Sequence, residues 1–143
     1  MTPVRFRPLF VALLLLAAGQ GRADIVVILN VDNPVQALTP RQVSDLYLGR
    51  TRTFPGGAAT LVFEQPRQAR TREEFFHRLN GMSLKQLNAY WARLQFSGEV
   101  QPPIQLDDSA AVLAGVRKNS AAIGYVDATA VDGSVRVVLR LKE

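Results

Sequence analysis

The chain of 143 residues contains no cysteine, which excludes disulfides, thiol nucleophiles and cysteine-ligated metals. It has a single histidine, His77, and metal sites need several ligands at defined spacing, so His77 reads as a surface or boundary residue beside Phe76. None of its serines lies in a Gly-x-Ser-x-Gly context, and no triad can be nominated. The Gly56-Gly57 pair has no Gly-Lys-Ser/Thr after it, so it is a turn and no phosphate loop. Asp107 and Asp108 are neighbours, unlike the carboxylates that face each other across a glycoside, and helix capping accounts for them. These absences leave no acid-base, nucleophilic or metal constellation, and the sequence is read as a non-enzyme without cofactor or metal.

Long apolar runs are also missing. The longest, residues 9–18, is ten residues, about half of the roughly 20 needed to span a bilayer. It follows Arg5 and Arg7 and ends in Gly21-Arg22-Ala23, the pattern of an export signal cleaved after Ala23. Residues 1–23 are therefore expected to be a signal peptide, and residues 24–143 a single domain. With no cysteine after the apolar run, a lipid anchor is excluded. Cleavage removes three of the seventeen basic residues and no acid, which lowers the net charge from +5 to +2. So small a surplus, in an exported chain, argues against nucleic-acid binding.

Among what is present, residues 25–31 form an apolar, β-branched run that predicts a buried strand. Thr39 with Gln42 and Pro40 predicts a capped helix over 40–48. Residues 59–63 read as a second strand. Thr71 with Glu74 predicts a capping box opening a helix over 72–80, with Phe75, Phe76 and Leu79 inward and Gly81 at its end. Ser83 with Gln86 opens a helix over 84–96, where Leu84, Leu87, Trp91 and Leu94 make one stripe and Trp91 belongs to the core. A proline-bearing loop over 101–105 leads to a helix over 109–118, capped by Asp107 or Asp108. Residues 122–126, where Gly124 permits a close approach, and residues 135–141 complete the strands. Alternation of strands and helices predicts an α/β domain with a mixed sheet flanked by helices.

Residues 64–75, EQPRQARTREEF, are the segment with binding potential. A strand-loop-helix layout aims the amides of a helix start past Thr71, with Arg67, Arg70 and Arg72 nearby, and such a place suits an anion. Glu73 and Glu74 already complement that end, so a solvated charged loop stays as the other reading.

Two further stretches carry a resemblance. Residues 38–54, LTPRQVSDLYLGRTRTF, and residues 121–131, AAIGYVDATAV, together resemble phosphate-type periplasmic solute-binding proteins. In that family a helix running into a Leu-Phe-x-Gly-Lys-like turn and an Ala-Ile-Gly-Tyr strand belong to the second lobe of a two-lobed clamp. The likeness covers most of residues 28–131 and implies a single lobe of the type II periplasmic-binding-protein-like fold. It also implies a periplasmic location and an accessory role in binding or sensing phosphate or another small anion for an ABC transporter.

Relatives place an Arg-x-x-x-Ser-Gly-Thr pattern before the helix, ten residues ahead of a phenylalanine. Counting from Phe75 sets Gln65 at the arginine, Ala69 at the serine, Arg70 at the glycine and Thr71 at the threonine. Only Thr71 is retained, so the ligand-binding candidates are Thr71, Arg70, Arg67, Ala69 and Gln65, and weak capture of phosphate or sulfate is expected. One lobe presents an open half-site, implying cover by a periplasmic or membrane protein or by a second copy. The alternative is a protein-interaction module that kept the fold and lost the ligand. Loops at 30–34, 65–71 and 127–129 are expected to share the exposed face, as strand ends do in open α/β sheets.

Overall fold

The computed structural model describes Pro3, residues 23–98 and residues 100–143. Apart from Pro3 and Ala23, the expected signal peptide lies outside the described residues.

Strand β1 (Ile25–Asn30) is buried at every position. Its side chains alternate between two cores: Ile25, Val27 and Leu29 enter one, while Val26 and Ile28 enter the other. A strand covered on both faces needs the unbroken apolar run seen in the sequence. Around it lie α1 (Pro40–Tyr47), β2 (Leu61–Glu64), α2 (Arg70–Asn80), α3 (Leu84–Ser97), β3 (Ile104–Gln105), α4 (Ser109–Lys118), β4 (Ala122–Asp127) and β5 (Val135–Leu141). The five strands form one sheet in the order β3-β2-β4-β1-β5. β2 runs parallel to β3 and β4, whereas β1 is antiparallel to both β4 and β5. The sheet is therefore mixed, as expected.

Helices α1, α2 and α3 supply the larger core, which holds Tyr47, Phe75, Phe76, Leu87 and Trp91 against Ile123 and Tyr125. α4 covers the opposite face with Val112, Leu113 and Val116. There Gly124 fulfils its expected role: a Cβ at that position would lie 2.5 Å from Val112 Cγ1. Trp91 is 7% exposed, as its stripe requires.

The capping boxes Thr39/Gln42 and Ser83/Gln86 form as predicted. Asp108 is the cap of α4, accepting from the Ala111 amide at 2.8 Å. The third predicted box does not form. α2 begins two residues early, at Arg70, with Ala69 at the cap position and no side-chain cap, so Thr71 lies inside the first turn. The Ala69 amide donates to Pro66 O at 2.9 Å and turns the chain into the helix. Glu74 pairs with Arg70 and Arg78, one helical turn to either side, and these ionic hydrogen bonds outcompete a reach back to the cap.

Two short elements, β3 and the 3-10 turn Ala128–Ala130, fall where the sequence reads as loop. The expected shared face is also corrected. Because β1 opposes β4, with Ile25 beside Asp127 and Leu29 beside Ile123, loop 30–34 emerges at the opposite end of the sheet from loops 65–69 and 127–129. It is fastened there by Asn30 Nδ2 to Val116 O and by Asn33 Nδ2 to Ser120 O.

Candidate anion-binding site

β2 ends at Glu64, and residues 65–69 carry the chain over the sheet end to α2. The five candidates separate into two groups. Gln65 is 2% exposed. Its Nε2 donates to Ser109 Oγ at 3.0 Å and to Tyr125 O at 3.1 Å, so the side chain ties the loop to β4 and α4 and is spent inward. Ala69, with φ −65° and ψ 138°, sits at the cap position. Arg67 and Arg70 are exposed, and Thr71 is half-buried. Arg67, Ala69, Arg70 and Thr71 thus gather at the helix start, while Gln65 lies below it.

The first bond of α2 runs from the Glu73 amide to Ala69 O at 3.1 Å. This leaves the amides of Arg70, Thr71 and Arg72, the N-terminal orphans of any helix, without a capping side chain. α1, α3 and α4 each have such a cap. Three amides at the positive end of a helix can hold a small anion, with exposed Arg67 on the loop before them and exposed Arg70 at the first position, its Nε donating to Glu74 Oε1 at 3.1 Å.

Beneath this end lies a feature that sequence reading missed. Arg72 Nε stands 3.5 Å from Glu64 Oε2, and the two side chains are 4% and 2% exposed. Arg72 Nη1 also donates to Arg67 O at 2.9 Å and to Asn88 Oδ1 at 3.1 Å. Glu64 Oε1 accepts from the Gln65 amide at 3.1 Å and from the Tyr125 hydroxyl. Burial pushes the Glu64 carboxyl up from 4.5 to about 7, against the opposing pull of Arg72, Tyr125 and the Gln65 amide. Burial, and then the Glu64 charge, raises both the Tyr125 and Tyr47 hydroxyls well above their ordinary value.

Tyr125 also stacks on Phe75, with ring centroids 3.6 Å apart, and the Tyr47 hydroxyl donates to Phe63 O at 2.9 Å. The pair thus pins the loop from below. The sequence signal for it was slight: an acid closing an apolar strand, and an arginine eight positions on.

Among the described residues no group of three or more His, Asp or Glu side chains is placed to hold a metal ion, and no helix is long and apolar enough to cross a membrane.

No family model and no curated protein matches the chain. Solved structures do. A Clostridium perfringens protein described as a phosphate ABC transporter substrate-binding protein, with bound phosphate, superposes with a TM-score of 0.66 and 24% identity, over 82% of this chain and 45% of that one. An ABC-type phosphate transport receptor from Vibrio cholerae gives 0.65 and 19%, over 82% and 46%. PstS from Borrelia burgdorferi gives 0.63 and 8%, over 82% and 47%. The chain spans less than half the length of each. Its fold is that of a single lobe of the phosphate-type periplasmic binding proteins, α/β with a mixed sheet flanked by helices.

Proposed function

We propose that the protein is an exported, non-enzymatic relative of phosphate ABC transporter substrate-binding proteins that binds phosphate or a related small anion weakly at the start of α2, in an accessory binding or sensing role. The observation that carries this reading is the uncapped α2 terminus. Its Arg70, Thr71 and Arg72 amides have no side-chain cap, and exposed Arg67 and Arg70 stand beside them. The phosphate-bound Clostridium perfringens relative adds weight to it.

Affinity is low for two physical reasons. Arg67 and Arg70 are exposed, where solvent screens charge, and Arg70 is shared with Glu74, which weakens each contact. Gln65, at the position where the family motif has arginine, brings no charge and is engaged elsewhere. A dissociation constant on the order of 0.1–1 mM follows. NMR titration with phosphate and sulfate tests this. Saturable shifts at the amides of residues 69–74 are expected, and unmoved amides at tens of mM would overturn the reading.

The second reading is a periplasmic protein-interaction module that has given up the ligand, and the inward commitment of Gln65 favours it. A membrane or periplasmic protein, or a second copy of the chain, would then cover loops 65–69 and 127–129. A photoreactive residue at Gln68, exposed on that loop, tests it in the periplasm. A discrete crosslinked product with silent amides would select this reading over the first.

A further inference from the structure

Arg72 joins two places in the fold. Its backbone amide is one of the three uncapped donors at the start of α2, while its guanidinium reaches under the loop to Glu64, 3.5 Å away and buried with it. Arg67, the exposed arginine of that loop, lines the same small cavity as Glu64 and Arg72. A buried carboxylate therefore lies one side chain away from the donors that receive an anion.

The charge beneath the helix start has two settings. With Glu64 ionised, Glu64 and Arg72 cancel. With Glu64 protonated, the Arg72 charge is uncompensated and adds to the positive end of the helix. The loop stays anchored in either setting, because Arg72 Nη1 keeps Arg67 O and Asn88 Oδ1 as acceptors. Of the other titratable groups against Glu64, the Tyr125 hydroxyl on β4 and the Tyr47 hydroxyl on α1 are held neutral by burial. α3 and residues 102–105 bring no charged side chain to the cavity.

We propose that Glu64 is the proton-binding half of the anion site: a small anion at the α2 terminus is taken up together with one proton, which passes from solvent to the Glu64 carboxylate. The inference rests on the reading of the α2 start as an anion site. Coupling of this kind is reciprocal, so the proton tightens anion binding by the same factor by which the anion tightens proton binding. Glu64 titrates at about 7, so both settings are populated near neutral pH. A charge on the order of 10 Å away, acting through an effective dielectric of about 20–40 and screened by salt, makes that factor about 3- to 10-fold.

Sulfate is the probe, since unlike phosphate it keeps one charge across the range. The full chain is titrated at about pH 5.5 and about pH 8.5, on either side of the Glu64 midpoint. The Thr71 methyl resonance, which has no exchangeable proton, reports binding, and the Glu64 side-chain carbonyl ¹³C resonance reports its protonation. Sulfate should bind about 3- to 10-fold more tightly at the lower pH, and saturating sulfate should raise the Glu64 midpoint by about 0.5–1 pH unit. Glu64→Gln should bind sulfate equally at both pH values. A pH dependence that persists in this variant would belong to another group, such as exposed His77 on α2, and would overturn the proposal. The Glu64 midpoint with and without sulfate decides the matter in the native protein should the variant fail to fold. Saturable binding of equal strength at both pH values, with that midpoint unmoved, would overturn the coupling and leave the anion site standing. A Thr71 methyl unmoved by tens of mM sulfate at both pH values would remove the anion site and the coupling together.

Discussion

Arg72 on α2 and Glu64 at the end of β2 form a buried ion pair, with 3.5 Å between Nε and Oε2. Taking two charges out of water costs several kcal/mol per ion, and mutual attraction repays this only with further hydrogen bonds. Here Tyr125, the Gln65 amide, Asn88 and Arg67 O supply them. The result is a rigid floor beneath the α2 terminus, at the cost of a carboxyl whose affinity for protons is raised.

That carboxyl makes stability depend on pH. Glu64 titrates at about 7 in the folded protein against 4.5 ordinarily, so the folded state binds the proton more tightly. Its contribution is fully present below about pH 4.5 and is lost as pH rises through 7, amounting to about 3 kcal/mol. Urea denaturation across this range should show the decline, and Glu64→Gln should flatten it. Equal slopes for the native protein and the variant would refute the assignment.

Ala69→Asp should separate stability from binding. A carboxylate at the cap accepts from the α2 amides and should raise stability by about 0.5–2 kcal/mol. By occupying those donors it should abolish phosphate shifts at residues 70–72. A variant that is stabilised yet still binds phosphate normally would show that the anion sits elsewhere.

Trp91→Ala should cost about 3–5 kcal/mol, as large aromatic truncations in cores do. The indole is 7% exposed, and its six-membered ring fills the space above Gly49. Thermal or urea unfolding measures the loss. A change within about 0.5 kcal/mol, the range of surface sites, would contradict the packing.

Export should leave Asp24 as the first residue. Mass spectrometry of the protein recovered from the periplasm checks it. An uncleaved chain held in the inner membrane would count against the signal reading from Arg5, Arg7 and Gly21-Arg22-Ala23.

Local chemistry was well written in the sequence, and relations between distant segments were not. The Thr39/Gln42 and Ser83/Gln86 boxes act within four residues, so spacing alone specifies them. The Thr71 box failed because Pro66, Arg70 and Arg78 offered competing partners outside its own four residues. β3 escaped notice because two residues after Pro102 and Pro103 carry no periodicity, and parallel pairing with β2 alone makes them a strand. Strand direction was equally hidden. The sequence reading put loop 30–34 on the binding face, and the antiparallel run of β1 sends it to the far end. At the site, the clustering of Arg67, Arg70 and Thr71 was legible. The Glu64–Arg72 pair was not, because loop geometry decides whether residues eight apart meet.

The placement of β1 governs when the fold can close. Its neighbours in the sheet are β4 and β5, so Ile25 pairs with both Asp127 and Leu141. This interior strand is thus made before the other four, and it waits for β4 or β5 before any of its ladder bonds form. Such non-local pairing is slow to nucleate. The first ladder of β1 cannot form before residues 123–127 of β4 exist, and its second is completed only with Leu141, so the strand stays unpaired while most of the chain is being made.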